Sequence, residues 1–163
     1  MLNLNVVLYQ PKIPQNTGNI ARTCAAVGAK LHLIRPLGFS VRDRHLKRAG
    51  LDYWQMVEIA YYDTLNDFLG TYRGKNLNFI TKKASKSYDK IDFSGEVFLI
   101  FGKETTGLPE EVLKKNHEQC FRIPMKPDAR SLNLSNAVAI VVYEFCRQKG
   151  FERLQLDGSK EFD

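Results

Sequence analysis

Three stretches of the 163-residue chain concentrate side chains able to bind or react. Pro14-Gln15-Asn16-Thr17-Gly18-Asn19-Ile20-Ala21-Arg22 runs from loop into helix and carries an amide, Asn16, and a guanidinium, Arg22. Six residues are about 1.7 helical turns, so Arg22 leaves the helix on a different face from Ile20 and Cys24. On propensity alone Asn16 or Thr17 reads as the helix cap and Arg22 as a surface charge. The second stretch is Leu99-Ile100-Phe101-Gly102-Lys103-Glu104-Thr105-Thr106-Gly107-Leu108-Pro109. A glycine at the end of a buried strand lets a ligand approach the backbone, which would set Glu104 at a pocket mouth. A plain turn with two glycines accounts for the same residues. The third runs from Ile123-Pro124-Met125-Lys126-Pro127 through Asp128-Ala129-Arg130-Ser131-Leu132 to Asn133-Leu134-Ser135-Asn136-Ala137. One Ser or Asn suffices to start a helix. Ser131, Asn133, Ser135 and Asn136 together exceed that need, so some must bond to backbone or to a ligand.

Several chemistries are excluded by what the chain lacks. It has no G-x-G, hence no dinucleotide fingerprint. Gly102 to Gly107 has the glycine spacing of a P-loop but continues Leu108-Pro109, without the phosphate-binding lysine or the magnesium-binding hydroxyl. Neither G-x-S-x-G nor H-E-x-x-H occurs. His32, His45 and His117 lack metal-ligand spacing, so no metal is expected. Cys24, Cys120 and Cys146 are odd in number, unpaired in spacing and set among apolar neighbours, which predicts buried reduced thiols and a cytoplasmic protein. The N-terminus has no basic leader, and Ser131 to Tyr143, the longest uncharged stretch near the C-terminus, is too short for a bilayer, so no membrane is expected.

The charge is uneven. The net formal charge is +6, yet residues 1–50 alone carry +7 and residues 91–163 carry −2. A one-sided basic surface fits a polyanionic partner, and a solvated lysine-rich face accounts for it equally.

Short apolar strands alternating with helical patterns predict an α/β fold with a mostly parallel sheet and helices on both faces. Strands are expected over Leu4–Tyr9, Leu31–Ile34, Val57–Tyr61, Leu77–Thr81, Val97–Phe101 and Cys120–Ile123. The helix holding Ile20, Cys24 and Val27 should end at Gly28. A short basic helix is expected over Asp43–Ala49, a helix capped by Thr64 or Asp63, one opened by Pro109, and a long apolar one over Leu134–Lys149. Lys82–Ser94 reads as loop. Residues 1–150 form one domain, with 151–163 a loose tail. In such sheets ligands bind beyond the carboxyl ends of the strands, where the second and third stretches begin.

The order and spacing of the three stretches resemble the SPOUT superfamily of RNA methyltransferases, over about residues 2–150. The motifs are N-x-x-x-x-x-R, F-G-x-E-x-x-G-L and I-P-M-x-P-x-x-x-S-L-N-L-S-N-A. The nearest branch is the small tRNA 2′-O-methyltransferases that modify the wobble nucleotide. The resemblance implies a C-terminal trefoil knot, a homodimer and S-adenosylmethionine as cofactor. It implies cofactor contacts at Ile80, Thr81, Gly102, Gly107, Ile123, Ser131 and Leu132. It implies a catalytic set of Arg22, Asn16, Ser131, Asn133 and Glu104, with Arg22 and Asn16 facing cofactor held by the other subunit. Arg42, Arg44, Lys47 and Arg48 would then hold phosphates of the tRNA anticodon stem-loop. A guanidinium stays protonated at neutral pH, which favours Arg22 as an orienting and electrostatic group over a free base. Two other readings stay open: methylation of another tRNA position or of ribosomal RNA, and a non-catalytic RNA-binding module.

Overall fold

The computed structural model describes residues 3–40 and 53–158. Among these residues seven strands form one all-parallel sheet: β1 (Leu4–Tyr9), β2 (Lys30–Ile34), β3 (Ile59–Tyr62), β4 (Asn76–Ile80), β5 (Lys86–Ser87), β6 (Val97–Phe101) and β7 (Cys120–Arg122), in the order β3-β2-β1-β6-β4-β7-β5. Helices α1 (Pro14–Val27) and α4 (Leu134–Gln148) pack on one face, and α2 (Leu65–Thr71) and α3 (Glu110–Lys115) on the other. The central strands β1 and β6 are apolar without interruption because both of their faces are covered. Leu4, Val6, Leu8, Val97, Leu99 and Phe101 point toward α1 and α4, while Val7, Phe98 and Ile100 point toward α2 and α3.

The expected strands and helices form in sequence order, with differences at their ends. Asn16 and Thr17 are not caps. Helix α1 begins ahead of both, at Pro14, whose fixed φ suits a first helical position, and both residues are buried inside it. Thr64, not Asp63, caps α2, in a capping box with Asp67: the Asp67 amide donates to Thr64 Oγ1 at 3.1 Å and the Thr64 amide to Asp67 Oδ2 at 3.0 Å. The segment read as loop, 82–94, contains the two-residue edge strand β5 and a 3-10 turn over Tyr88–Lys90. So short a strand has no periodicity to detect. β3 runs Ile59–Tyr62 rather than Val57–Tyr61, and β7 stops one residue short of Ile123. Beyond Gly150, Phe151 and Leu154 pack against the larger core, so contacts continue into the tail. The expected basic helix at Asp43–Ala49 lies outside the described residues.

A buried polar chain crosses the α2 side. Asn5 Nδ2 donates to the Val97 carbonyl, so its Oδ1 faces His32 Nε2 at 3.0 Å. His32 Nδ1 then accepts from the Tyr62 hydroxyl at 3.1 Å, and Tyr62 accepts from Tyr72 at 2.9 Å. Burial pushes the His32 imidazole down to about 4, keeping it neutral. Cys24, Cys120 and Cys146 are free and buried. Among the described residues no helix is long and apolar enough to cross a membrane, and no cluster of three or more His, Cys, Asp or Glu could hold a metal ion.

Candidate active site

A cavity of about 510 Å³ opens beyond the carboxyl ends of the adjacent strands β6, β4 and β7. Its size suits a nucleoside-sized ligand, within the roughly 300–1,000 Å³ usual for small-molecule sites. Ile80 and Thr81 at the end of β4 and Phe101 and Gly102 at the end of β6 form its floor. Ile123, just past β7, and Ser131 and Leu132, in the loop before α4, close its far side. Gly107 and Leu108 line it from the β6–α3 loop.

That loop is pinched shut. Lys103 and Gly107 exchange backbone hydrogen bonds at 3.2 and 3.0 Å, and Gly107 takes φ +71°, a conformation that favours glycine. A Cβ on Gly102 would lie 2.2 Å from the Gly107 carbonyl carbon and 2.3 Å from the Leu108 nitrogen. The close approach at Gly102, read from sequence as one made by a ligand, is made by the returning chain.

The pinch aims Glu104 at the start of α1. Its carboxylate accepts from the Lys12 amide at 2.8 Å, the Ile13 amide at 3.0 Å and Asn16 Nδ2 at 3.2 Å. Helix α1 has no side-chain cap and no acid in its own first turn, so Glu104 supplies the anionic acceptor that the positive helix end favours. Asn16 Oδ1 in turn accepts from Asn133 Nδ2 at 2.9 Å. Asn133 caps α4, its Oδ1 accepting from the Ser135 amide and hydroxyl at 2.9 and 2.7 Å. One hydrogen-bonded chain, Glu104–Asn16–Asn133–Ser135, thus joins the three chemistry-bearing stretches, and its first three members line the cavity.

Arg22 stands apart. It is exposed on α1, does not line the cavity, and lays its guanidinium 4.9 Å from the centre of the Tyr53 ring. Arg42, Arg44, Lys47 and Arg48 fall outside the described residues. Three cavity lysines were not singled out from sequence: Lys82 and Lys83 directly after β4, and Lys103, which sits 5.1 Å over the Tyr9 ring. The rule that ligands bind at strand ends points to the first two. Tyr53 carries no sequence signal, because nothing local ties it to Arg22.

The SpoU rRNA methylase family model matches residues 3–143. The chain belongs to that family. A Geobacillus stearothermophilus relative, provisionally named a tRNA (cytidine(34)-2′-O)-methyltransferase, is 56% identical over 154 residues, covering 93% of this chain and 98% of its own. A solved structure described as giving insight into the 2-OH methylation of C/U34 on tRNA is 46% identical with a TM-score of 0.86, covering 91% of this chain and 97% of that one. An AdoMet-bound rRNA methyltransferase from Sinorhizobium meliloti is 29% identical with a TM-score of 0.80, covering 89% of this chain and 56% of that one. In this SpoU-family chain the motif residues therefore sit on a family fold, and the cavity walls are the strand ends and loops that carry those motifs.

Proposed function

We propose that this protein methylates the ribose 2′-oxygen of nucleotide 34, the wobble position of tRNA, with S-adenosylmethionine as methyl donor. The observation that carries the reading is the cavity at the ends of β6, β4 and β7, braced by the Glu104–Asn16–Asn133 chain. The names of the similar proteins above supply the nucleotide and the cofactor.

The residues present fit the cofactor. Ile80, Phe101, Ile123 and Leu132 offer apolar walls for a flat base, and Thr81, Ser131 and backbone from Gly102 to Gly107 offer polar edges. When bound, S-adenosylmethionine supplies an electrophilic methyl group on a sulfonium. The chain's own task is then alignment and help with the hydroxyl proton. Asn16 and Asn133 are held rigid by their mutual hydrogen bond, with Glu104 behind them as a positioning group. Arg22 orients the ribose and its phosphate and favours the developing alkoxide by its charge.

Arg22 lies outside its own chain's cavity, which supports a homodimer in which Arg22 faces the cavity of a second copy. Tyr143 on α4 and Leu156 in the segment after it, 48% and 73% exposed beside Ala26 of α1, give this side of the molecule an apolar surface suited to that contact. A single catalytic domain over residues 1–150, a knot formed by the C-terminal strands and α4, a cytoplasmic location and phosphate contacts from Arg42, Arg44, Lys47 and Arg48 complete the reading.

The test is calorimetry with S-adenosylmethionine followed by transfer of labelled methyl to bulk tRNA and to ribosomal RNA. Transfer to tRNA supports the reading. Methyl on ribosomal RNA alone, or cofactor binding without transfer, contradicts it.

A further inference from the structure

The edge of the sheet at β3 carries a feature that the cofactor cavity does not explain. Two cation–aromatic pairs there are joined into one strip. Arg22 lies over Tyr53, and the indole of the next residue, Trp54, lies beside the Tyr61 hydroxyl. Arg35 lies over the Tyr61 ring, 5.3 Å from its centre. All five residues occupy one side of the sheet. Tyr61 pairs in register with Leu33, which faces the core beneath α1, and Trp54 packs against that same core.

The strip is open to solvent. Among the described residues β3 is the terminal strand, Arg22 and Arg35 are exposed, and Tyr61 is 37% exposed. Isolated exposed cation–aromatic pairs stabilise a fold by only about 0.5–1 kcal/mol, so fold stability gives little reason to keep three partly exposed aromatic rings at one sheet edge. Arg35 also pairs with Asp63 at 2.8 Å, which offsets its charge and leaves its flat face and the Tyr61 ring as the available surface. Planar rings flanked by guanidinium planes match one ligand chemistry well: unstacked nucleobases, which stack on aromatic and arginine faces without regard to sequence.

We infer that the Arg22–Tyr53–Trp54–Tyr61–Arg35 strip is a stacking platform for single-stranded bases of the substrate RNA flanking the methylated nucleotide. The inference rests on the proposed tRNA activity. The strip begins at Arg22, the group assigned to the target ribose, and leads away from it along the sheet edge. An anticodon loop, whose bases are unpaired, fits this surface; a paired stem, whose bases are stacked on one another, does not.

Trp54 is the single tryptophan of the chain, so its emission reports the platform directly. The full-length protein is titrated with a synthetic anticodon stem-loop RNA and with a fully paired RNA duplex of equal length. The stem-loop is expected to quench Trp54 saturably, and the duplex to leave it unchanged. Tyr61→Leu is expected to weaken stem-loop binding about 5- to 100-fold, the range for loss of one stacked base. Tyr61→Phe, which keeps the ring, stays within about twofold, and S-adenosylmethionine affinity is unchanged in both. The loss in Tyr61→Leu persists as salt rises, as expected for stacking rather than phosphate pairing. Stem-loop binding without Trp54 quenching, or unaltered binding by Tyr61→Leu, overturns the platform and leaves the tRNA reading standing. A wild-type protein that binds cofactor but not the stem-loop overturns both.

Discussion

Replacing Glu104 by alanine separates a positioning role from a passing surface contact. Its carboxylate serves three donors from a segment about 90 residues away, two backbone amides at the start of α1 and the Asn16 amide. The Lys12 and Ile13 amides lie at an exposed helix start and can turn to water, so each loses about 0.5–1 kcal/mol. Asn16 is 5% exposed and cannot, so its stranded donor costs about 1–3 kcal/mol. Loss of the anion at the helix N-terminus adds about 0.3–1 kcal/mol. Allowing for partial relaxation, Glu104→Ala should destabilise the fold by about 2–4 kcal/mol. For a chain of this length that lowers Tm by roughly 5–15 °C. Glu104→Gln keeps the shape but turns an amide NH2 toward a donor, and should lose about half as much. Urea unfolding followed by circular dichroism measures both, and calorimetry should show weakened S-adenosylmethionine binding as Asn16 and Asn133 lose their brace. A Glu104→Ala protein within about 0.5 kcal/mol of wild type, with full cofactor affinity, refutes the reasoning.

Other outcomes follow from the same geometry. Gly102→Ala puts a methyl group 2.2 Å from the Gly107 carbonyl carbon, so the pinched loop must open; cofactor affinity measured by calorimetry should fall at least tenfold. His32 is held at about 4 against an unfolded value near 6.5, so the unfolded chain binds its proton first. Its contribution is complete above pH 6.5 and is lost as pH falls toward 4, about 3 kcal/mol in all. His32→Gln should flatten the stability profile between pH 6.5 and 5 in urea titrations at fixed pH, before carboxylates such as Glu58 and Glu118, whose ion pairs with lysine hold them below the usual range, begin to protonate. Burial pushes the Cys24 thiol up to about 12 and raises Cys120 and Cys146, so a thiol reagent at pH 8 should label none of the three until the protein is unfolded. Binding of tRNA should fall steeply with salt, by about 0.7–0.9 log units per decade for each phosphate contacted; a flat response in a filter-binding assay contradicts phosphate contacts.

The parts of the fold legible in the sequence are those whose signal is local. β6 is a five-residue apolar run because it is covered on both faces, and α4 shows its buried side through Val138, Val141, Val142 and Phe145. The true start of α1 was hidden because its anionic cap comes from Glu104, beyond any local window. β5 was hidden because two residues on a sheet edge have no period. At the site, the loop glycines and the Ser/Asn cluster were visible as types and spacing, but their purpose was not. Gly102 turned out to admit its own chain, and Asn16 to be a buried link rather than a cap. The Arg22–Tyr53 contact joins residues 31 apart through ring geometry alone, which no spacing rule encodes.

The central claim is tested most directly by locating the methyl group. Purified protein is incubated with isotope-labelled S-adenosylmethionine and unmodified tRNA, and the digested RNA is sequenced by mass spectrometry. The account predicts one labelled methyl on the ribose 2′-oxygen of nucleotide 34, abolished by Arg22→Ala with cofactor affinity retained. A label on a base, on another nucleotide, or undiminished in Arg22→Ala contradicts it.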